Sequence, residues 1–403
     1  MQWLSHVAPR EAGNVTPITS ESGGDLGVML TGGGARAAYQ VGLIHGIARD
    51  FPNLRFQIIT GVSAGAINAM FLAARKGSLA QKAEELAGVW CALECSSIWH
   101  FDWRTLIPFR SALASLYPKK KWSRPRGVVD TAPLAQLLYG IYDTPSQQPI
   151  RGIREILLSG ELHAVALISL DYSTGQSVRW VQGRNIEVFE GPNRRSAITE
   201  LTVEHVLASA SLPFVFPAVP IGSEYHGDGG IRLAAPLSAA VHLGARRIIA
   251  MSTGYQRTID EANTPVVQGY PPAAQVLGQL MNAIFLDVID EDMQRMERMN
   301  EMIRKLDPRD RNGLRPIDLL VLRPSKDLAK VAASFEKYLP RHLKTLTRAL
   351  GAKETESPDI ISLLMFEPHY TKELIAIGRA DVESRIDEIR AFIGEPVQQA
   401  AAL

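Results

Sequence analysis

The feature that most constrains the fold is a strand, a glycine-rich turn and a helix that occur twice in succession. Leu26–Leu30 is a short apolar run that ends at Thr31 and three glycines, and Ala35–Arg49 then has the pattern of a helix. Phe56–Thr60 is a second apolar run, followed by Gly-Val-Ser-Ala-Gly and a helix of small residues that reaches about Lys76. This order predicts an α/β fold, because parallel strands need a long return connection that a helix usually supplies.

The rest of the chain divides into three predicted parts. Residues 1–24 are polar and contain Gly and Ser, which predicts a loose N-terminal arm. Residues 25–262 continue to alternate between apolar runs and helical segments, and we expect them to form one α/β domain. The composition shifts near Asn263–Pro272, so residues 263–403 are predicted to be a mainly helical C-terminal extension that packs on this domain.

Several segments predict individual elements. His163–Leu170 and Ser177–Val181 flank a Ser-Thr-Gly-Gln turn sequence, which indicates a β-hairpin. Ala273–Lys305 is predicted to form one long helix that is rich in Met. Further helices are predicted near Ser334–Leu350 and Thr371–Phe392.

Composition excludes several classes of protein. Hydrophobic residues make up 46% and charged residues 21% of the 403 residues, which excludes a largely disordered or a collagen-like chain. The net charge of +1 provides no overall field that would attract nucleic acid, so we expect no nucleic-acid partner. Cys91 and Cys95 are too few for a disulfide scaffold, and we interpret them as thiols in or near the core, in a reducing compartment. The acids and histidines lack ligand spacing, so no metal site and no cofactor are predicted.

No signal peptide and no membrane span are predicted. The start of the chain has no apolar segment flanked by basic residues, and the uncharged runs 56–74, 206–223 and 264–286 are interrupted by Gly, Pro or polar residues. We therefore expect a cytoplasmic protein. Residues 97–126 combine Trp and other aromatic residues with a Lys-Lys-Lys run, which suits peripheral contact with an anionic membrane surface. Aromatic residues that pack on the domain explain this segment equally well.

Residues 61–65, Gly-Val-Ser-Ala-Gly, match the Gly-x-Ser-x-Gly pattern of a nucleophile elbow. Their position between an apolar strand and a helix of small residues is the context that such an elbow requires. A sharp turn there exposes the serine, and its neighbours must be small because strand and helix cross closely. Ser63 is therefore a candidate nucleophile, although a serine that only caps the helix gives the same pattern.

Residues 32–37, Gly-Gly-Gly-Ala-Arg-Ala, form a second glycine-rich turn before a helix. Glycines allow a carbonyl oxygen to approach backbone N–H groups, so this loop is a candidate oxyanion hole. Gly32, Gly34 and Ala37 also fit the fingerprint of a dinucleotide loop, but no acid follows the next strand, which ends at Thr60. A phosphate loop of the Walker type is excluded because no Lys-Ser/Thr follows the glycines, and a purely structural turn is the third interpretation.

The third motif is Asp228-Gly229-Gly230. Alone it is typical of a structural turn, yet a reactive serine needs a base, and this acid lies on a tight turn after a predicted pair of strands. A histidine would complete a triad, and the nearest candidates are His205, His226 and His242. Histidines in strands and helices are more often structural than catalytic.

Together these motifs resemble the patatin-like phospholipase family. The resemblance rests on residues 32–37, 61–65 and 228–230 in that order, and on Ala208–Pro217, which is similar to the family's segment before its Asp. It covers about Leu26–Thr253. The family usually ends its first motif with Gly, whereas this chain has Ala, which adds one methyl group just inside a helix and could narrow the approach to the oxyanion site.

The resemblance implies a three-layer α/β/α patatin-like sheet with crossover helices, and a Ser–Asp dyad that needs no catalytic histidine. It implies Ser63 as the nucleophile and Asp228 as the base. The remaining implied site residues are Gly32, Gly33 and Gly34 in the oxyanion hole, and Arg36, Gly61, Gly65, Gly229 and Gly230 in support of the motifs.

The implied function is a serine lipid acyl hydrolase of the phospholipase A or lysophospholipase type, with an acyl lipid as substrate. Two other functions stay open at this level. A catalytically weak module that keeps the fold and binds lipid or membrane is the first alternative. A dinucleotide-binding protein is the second, and the missing acid after the second strand argues against it.

Overall fold

The computed structural model describes residues 25–101, 127, 129–265, 270–340, 344 and 359–394. The strands in this part of the chain are β1 (Leu26–Leu30), β2 (Ile58–Val62), β3 (His100–Phe101), β4 (Val129–Asp130), β5 (Ala164–Asp171), β6 (Ser177–Gly183), β7 (Arg194–Ile198), β8 (Val219–Ile221), β9 (Glu224–Asp228), β10 (Arg247–Met251) and β11 (Asp318–Leu322).

The α-helices of the described residues alternate with these strands and dominate the C-terminal part. They are α1 (Ala38–Asp50), α2 (Ala64–Ala74), α3 (Leu79–Ala92), α4 (Cys95–Ile98), α5 (Ala132–Tyr142), α6 (Arg151–Ser159), α7 (Val203–Ser209), α8 (Ser238–His242), α9 (Ile259–Asn263), α10 (Ala273–Phe285), α11 (Val288–Lys305), α12 (Leu328–Ala333), α13 (Asp359–Leu364), α14 (Pro368–Ser384) and α15 (Ile386–Ile393).

A 9-stranded mixed sheet forms the centre of the fold. Its main path runs β11-β10-β1-β2-β5-β6-β7, and β9 pairs with both β5 and β8. The strands from β11 to β5 are parallel, whereas β5 pairs antiparallel with β6 and with β9. The predicted hairpin is confirmed as β5–β6. Because β1 and β2 are parallel neighbours, the turns that follow them lie side by side at one edge of the sheet.

Helices cover both faces of the sheet. The larger hydrophobic cluster contains α1, α2 and α3 on one face, and the smaller one contains side chains of α8 and α11 on the other. Strands in the middle of the sheet are buried along their whole length, as the uninterrupted apolar runs predict. The three-layer α/β/α architecture with a helical C-terminal region is thereby confirmed.

The predicted long helix over 273–305 is wrong in one respect, because the structure divides it into α10 and α11. Phe285 and Leu286 are adjacent in sequence and both are buried. α10 ends at Phe285, and Leu286 and Asp287 form the connection to α11. Similarly, the segment Thr371–Phe392 forms two helices, α14 and α15.

The C-terminal helices pack on the first helix of the sheet unit. α14 lies along α1, and the hydroxyl of Tyr39 donates a hydrogen bond of 2.9 Å to Asp381. The hydroxyl of Tyr370 donates to the carbonyl of Leu328 at 3.0 Å, which joins α14 to α12. These contacts fix the C-terminal helices beside the glycine turn that follows β1.

Some predictions fall outside the described residues. These include the N-terminal arm over 1–24, residues 102–126 of the aromatic and basic segment, and most of 341–350. At the start of the aromatic segment, Trp99 is buried in the core. Cys91 is partly buried on α3 and Cys95 is buried on α4, and both are free thiols, as predicted. Within the described part of the chain, no helix is both long and apolar enough to span a bilayer.

Candidate active site

Ser63 occupies a strained turn between β2 and α2. Its φ of 56° and ψ of −134° lie in a region that residues with a side chain rarely adopt, and only 5% of the residue is exposed. The small neighbours have a packing reason: a Cβ on Gly61 would come within 2.6 Å of the Ala69 side chain, and one on Gly65 would overlap the carbonyl oxygen of Thr31. The local geometry is that of a nucleophile elbow.

Ser209 holds the backbone of this turn, and the sequence analysis did not single it out. The N–H of Ser63 donates to the Ser209 hydroxyl at 3.1 Å, and that hydroxyl donates to the carbonyl of Ile168 at 2.6 Å. Two residues later, the carbonyl of Ser211 accepts from the N–H of Asp228 at 3.0 Å. One short segment therefore positions both candidate catalytic residues. It lies within residues 208–217, the stretch that contributed to the family resemblance.

The glycine turn after β1 lies against Ser63. A Cβ on Gly32 would come within 2.9 Å of the Ser63 Cβ. The carbonyl of Gly32 accepts from the hydroxyl of Thr253, and the carbonyl of Gly33 accepts from the N–H of Arg36 at 3.1 Å. In a trans peptide the N–H points away from the carbonyl, so the N–H groups of Gly33 and Gly34 face away from the Thr253 and Arg36 donors. Both glycines line a cavity together with Ser63.

Buried amides hold the turn in place from behind. The Gln40 side chain donates to the carbonyls of Thr31 and Met251 at 2.9 and 3.0 Å. Asn68 donates to the Gln40 side-chain oxygen at 3.1 Å and accepts from the indole N–H of Trp90 at 2.9 Å. All these side chains are buried, so the network is rigid and ties α1, α2 and α3 to the glycine turn.

Asp228 ends β9 and is completely buried. Burial raises the pKa of its carboxyl to about 7, and interactions with the Ser63 side chain and the Gly230 N–H offset part of this rise. Oδ1 accepts from Gly230 N–H at 2.8 Å, whereas Oδ2 has no partner with hydrogen-bond geometry among the described residues. The Ser63–Asp228 contact is therefore looser than an ordinary hydrogen bond. Gly229 packs on the carbonyl of Ile168.

The three candidate histidines are engaged elsewhere. His226 interacts with the Ser169 hydroxyl at 3.2 Å, His205 caps its own helix through Thr202, and His242 contacts the carbonyl of Ser238 at 2.6 Å. Burial lowers the pKa of each, so all are neutral near pH 7. Within the described residues, none of them contacts Ser63.

Arg36 points away from the cavity and into the C-terminal region. It is buried, its Nη2 lies 2.8 Å from the carboxylate of Asp359, and its Nε donates to the Ser362 hydroxyl at 2.7 Å. Arg36 therefore forms a buried ion pair and adds no free charge to the cavity beside Ser63. This pair connects the glycine turn to α13, whose Leu363 carbonyl occupies the space that a Cβ on Gly34 would need.

The cavity beside Ser63 is small and apolar, with a volume of ≈ 30 Å³. This is room for about one or two water molecules. Seven residues of the sheet domain and four of the C-terminal region form its apolar walls: Ala64, Ile67, Ile98, Leu134, Ala210, Leu212, Phe216, Phe285, Leu363, Leu364 and Phe366. An acyl chain has suitable walls here, and the C-terminal side must move to admit it.

One group of ligand-type side chains is brought together that the sequence spacing did not indicate. Asp171, Glu224 and His226 offer atoms within 4.8 Å of one another. The guanidinium of Arg195 already lies 2.8 Å from Glu224 and 3.5 Å from Asp171. A cation of the protein itself therefore contacts both carboxylates and offsets one of their two charges.

Comparison with known proteins gives one family. A model of the patatin-like phospholipase family matches residues 28–241, which include Ser63, Asp228 and both glycine-rich turns. No curated protein sequence matches the chain significantly.

Solved structures provide weaker likenesses. Human GIVD cytosolic phospholipase A2 is 12% identical with a TM-score of 0.44, and the match covers 92% of this chain and 60% of that one. VipD from Legionella pneumophila is 11% identical with a TM-score of 0.33, and the match covers 89% of this chain and 67% of that one. The chain thus spans about 60% of the length of the phospholipase structure.

Proposed function

Since the chain belongs to the patatin-like phospholipase family, we propose that it hydrolyses acyl esters of lipids through a dyad of Ser63 and Asp228. The activity would be that of a phospholipase A or lysophospholipase in lipid degradation. One observation carries this proposal: a serine on a strained elbow lies beside a fully buried carboxyl whose pKa is raised to about 7. Such a carboxyl is half ionised at neutral pH, which suits a general base.

In the proposed first step, the Ser63 Oγ attacks the ester carbonyl carbon and its proton moves to Asp228. The tetrahedral intermediate then collapses, and the proton passes from Asp228 to the oxygen of the leaving alcohol. In the second step, Asp228 takes a proton from water while the water oxygen attacks the carbonyl carbon of the acyl-enzyme. The bond from this carbon to the Ser63 Oγ then breaks, Asp228 returns the proton to Ser63, and the fatty acid leaves. The loose Ser63–Asp228 contact fits this role, since catalytic hydrogen bonds often tighten only when substrate is bound.

The glycine turn is the proposed oxyanion hole, formed by N–H groups at Gly32, Gly33 and Gly34. Support comes from Gly33 and Gly34, which line the same cavity as Ser63 and whose N–H groups are directed away from the donors that hold the turn. Each such donor contributes about 2.7–4 kcal/mol to stabilising the transition state in other serine hydrolases. The rigid amide network behind the turn would keep these donors preorganised.

We assign the apolar cavity to the acyl chain of the substrate. Residues 25–262 would then form the catalytic domain, and residues 263–403 an extension that completes the pocket, because Phe285, Leu363 and Phe366 belong to its wall. Ligand pockets usually measure about 300–1,000 Å³, far more than this cavity. Substrate binding would therefore require Phe285 or α13 to shift.

We also propose that the protein works at a membrane surface. Phe214 is 85% exposed, has a φ of 64°, and lies between two residues that line the cavity, Leu212 and Phe216. A large exposed aromatic side chain at the edge of an acyl pocket suits insertion between lipids.

A fluorophosphonate probe tests the dyad directly. The wild-type protein should form a covalent adduct at Ser63 and hydrolyse short p-nitrophenyl esters and phospholipids. The small cavity also favours a second candidate function, a catalytically weak lipid-binding module. Vesicle binding without labelling and without ester hydrolysis would support that module and refute the proposed hydrolase.

A further inference from the structure

A second cavity, of ≈ 550 Å³, lies at the β6–β7 side of the sheet, and we call it the arginine pocket. Four arginines line it, Arg179, Arg194, Arg195 and Arg232, and Glu190 is the one carboxylate among its described lining residues. The arginine pocket shares no described lining residue with the cavity beside Ser63. Its volume is within the range of small-molecule sites, about 300–1,000 Å³.

Three of these arginines have no carboxylate partner among the described residues. Arg195 is paired with Glu224 and Asp171, as described above. Arg179 instead donates to the Ser238 hydroxyl at 3.2 Å, and Arg232 donates to the side-chain oxygen of Asn193 at 2.8 Å. Neutral hydrogen-bond acceptors satisfy the geometry of a guanidinium but leave its charge uncompensated. The arginine pocket therefore carries net positive charge.

Arg179 is the central residue because it rises from the sheet itself. It pairs with Ile168 on β5, and its side chain points to the sheet face opposite that of Val178 and Trp180. Burial and the neighbouring Arg194 lower the pKa of Arg179 to about 10. A partly buried cation without an anion is destabilising, so its presence needs a reason other than stability.

The surroundings of Arg179 are preorganised for an oxyanion. The guanidinium of Arg194 lies 4.5 Å from the centre of the Phe189 ring, which restricts its position. Hydroxyl groups of Ser177 and Ser238 also line the arginine pocket and can donate hydrogen bonds. Guanidinium groups bind phosphate oxygens in a bidentate manner, and they do so best where several converge.

We propose that the arginine pocket binds the phosphomonoester group of a small organic ligand or lipid headgroup. The pocket is larger than a phosphate group alone requires, so the ligand carries an organic part. This inference does not depend on ester hydrolysis, because the arginine pocket is separate from Ser63. The same chemistry has two sources, a soluble phosphomonoester and a lipid with a terminal phosphate.

Binding is measured with full-length Ser63→Ala protein, so that no lipid is consumed. One arm titrates glycerol 3-phosphate by calorimetry, with inorganic phosphate for comparison. The other arm measures flotation with vesicles of phosphatidylcholine and phosphatidic acid in equal parts. Vesicles of phosphatidylcholine and phosphatidylglycerol, which is a phosphodiester, control for membrane charge. Binding in either arm supports the proposal and identifies the source, and binding in neither overturns it.

Variants then locate the site. Arg179→Gln and the double variant Arg194→Gln/Arg232→Gln should each weaken phosphomonoester binding about tenfold or more. Arg184→Gln is the matched control, since this exposed arginine on the β6–β7 connection is not among the residues that line the arginine pocket. Equal weakening by Arg184→Gln would overturn the proposal, because it would indicate only a general electrostatic attraction.

Thermal unfolding separates a binding role from a structural one. If Arg179 serves a ligand, Arg179→Gln should melt at the same temperature as the parent protein or higher, while losing the stabilisation by glycerol 3-phosphate. A lower melting temperature with ligand stabilisation retained would indicate a structural arginine and refute the proposal. If Arg179→Gln does not fold, the test rests on Arg194→Gln/Arg232→Gln. Arg194 and Arg232 are both exposed, so their replacement should leave the fold intact.

Discussion

Two cavities of the same domain present opposite chemistry. The cavity beside Ser63 is apolar, and next to it lies Asp228, a buried acid without a cation. The arginine pocket is lined by four guanidinium groups, and in it lies Arg179, a partly buried cation without an acid. In both places burial favours the neutral form of the side chain. It raises the pKa of Asp228 and lowers the pKa of Arg179.

The comparison with Arg36 shows what these two charges lack. Arg36 is also buried, yet it is matched by the carboxylate of Asp359 at 2.8 Å and by the hydroxyl of Ser362. The fold thus pairs a charge where the role is to hold α13 against the glycine turn. Asp228 and Arg179, in contrast, have no partner of opposite charge within the described residues. We propose that Asp228 acts on the ester substrate and that Arg179 binds a phosphomonoester. An unpaired buried charge is costly, and sites that keep one often do so for function.

The largest expected effect comes from Ser63→Ala. It should reduce kcat for short esters by at least about 10⁴-fold and abolish labelling by the fluorophosphonate probe, because no other nucleophile would replace Ser63. Ser173→Ala, in the exposed turn between β5 and β6, is the matched control. Binding of glycerol 3-phosphate should be unchanged in both variants. Activity retained by Ser63→Ala would contradict the proposed dyad.

Asp228→Asn should lower kcat by about 10³-fold or more, because the amide cannot accept the serine proton. The same variant should be more stable than the wild type at and above neutral pH. A rise in pKa from 3.8 to about 7 means that ionising the folded-state carboxyl costs on the order of 4 kcal/mol more than in the unfolded chain. Thermal unfolding measures the gain. A loss of both activity and stability would indicate a structural Asp.

The pH dependence of kcat/KM follows from the same carboxyl. Since the base must be ionised, kcat/KM should fall about tenfold per pH unit below a pKa of about 7 and level off above it. The raised pKa also means that the folded state binds this proton more tightly than the unfolded chain does. This stabilisation is present below pH 3.8 and is lost as the pH rises toward 7. A profile flat from pH 5 to 8, about three units, would exclude Asp228 as the base.

Ser209→Ala should have a smaller effect, a loss of about 10- to 100-fold in kcat with little change in KM. The change leaves the N–H of Ser63 and the carbonyl of Ile168 without their shared partner, which loosens the elbow rather than removing a reacting group. Stopped-flow labelling by the fluorophosphonate probe measures the same step. Ser209→Thr, which keeps the hydroxyl, should restore part of the rate, whereas a purely structural role would give equal losses in both variants.

The smallest expected effect comes from Phe214→Ser. Hydrolysis of phospholipid vesicles should fall a few-fold, and hydrolysis of soluble short esters should stay the same, because Phe214 is exposed and is not among the residues that line the cavity. The exposed Tyr270→Ser is a control for loss of a surface aromatic residue. Equal rates on vesicles for Phe214→Ser and the wild type would exclude membrane contact at this edge.

Local patterns were enough to predict much of the sheet domain. The two strand–glycine–helix units and the β5–β6 hairpin follow from apolar runs and turn residues, which act over short distances, whereas the three-layer architecture was implied by the family resemblance. The assignments of Ser63, Asp228 and the glycine turn remain predictions that the proposed experiments test. Their arrangement could be anticipated because parallel neighbours β1 and β2 bring their C-terminal turns to one edge.

Other features depend on residues that are far apart in the chain. The break between α10 and α11 lies where the buried Phe285 and Leu286 pack in a cluster with Leu363, a residue distant in sequence. The support of Ser63 by Ser209 joins residues 146 positions apart. The Arg36–Asp359 ion pair spans 323 positions, so it was not predictable from either local sequence.

The sequence by itself determined the chemistry that is available: a serine on an elbow, an acid on a turn and a run of glycines. The environment of these groups depends on the tertiary structure. That structure buried Asp228 and so raised its pKa, closed the apolar cavity with C-terminal helices, and gathered arginines from three separate segments around a second cavity. Burial and the charges near a residue depend on which residues surround it in space, and a local sequence pattern does not specify those neighbours.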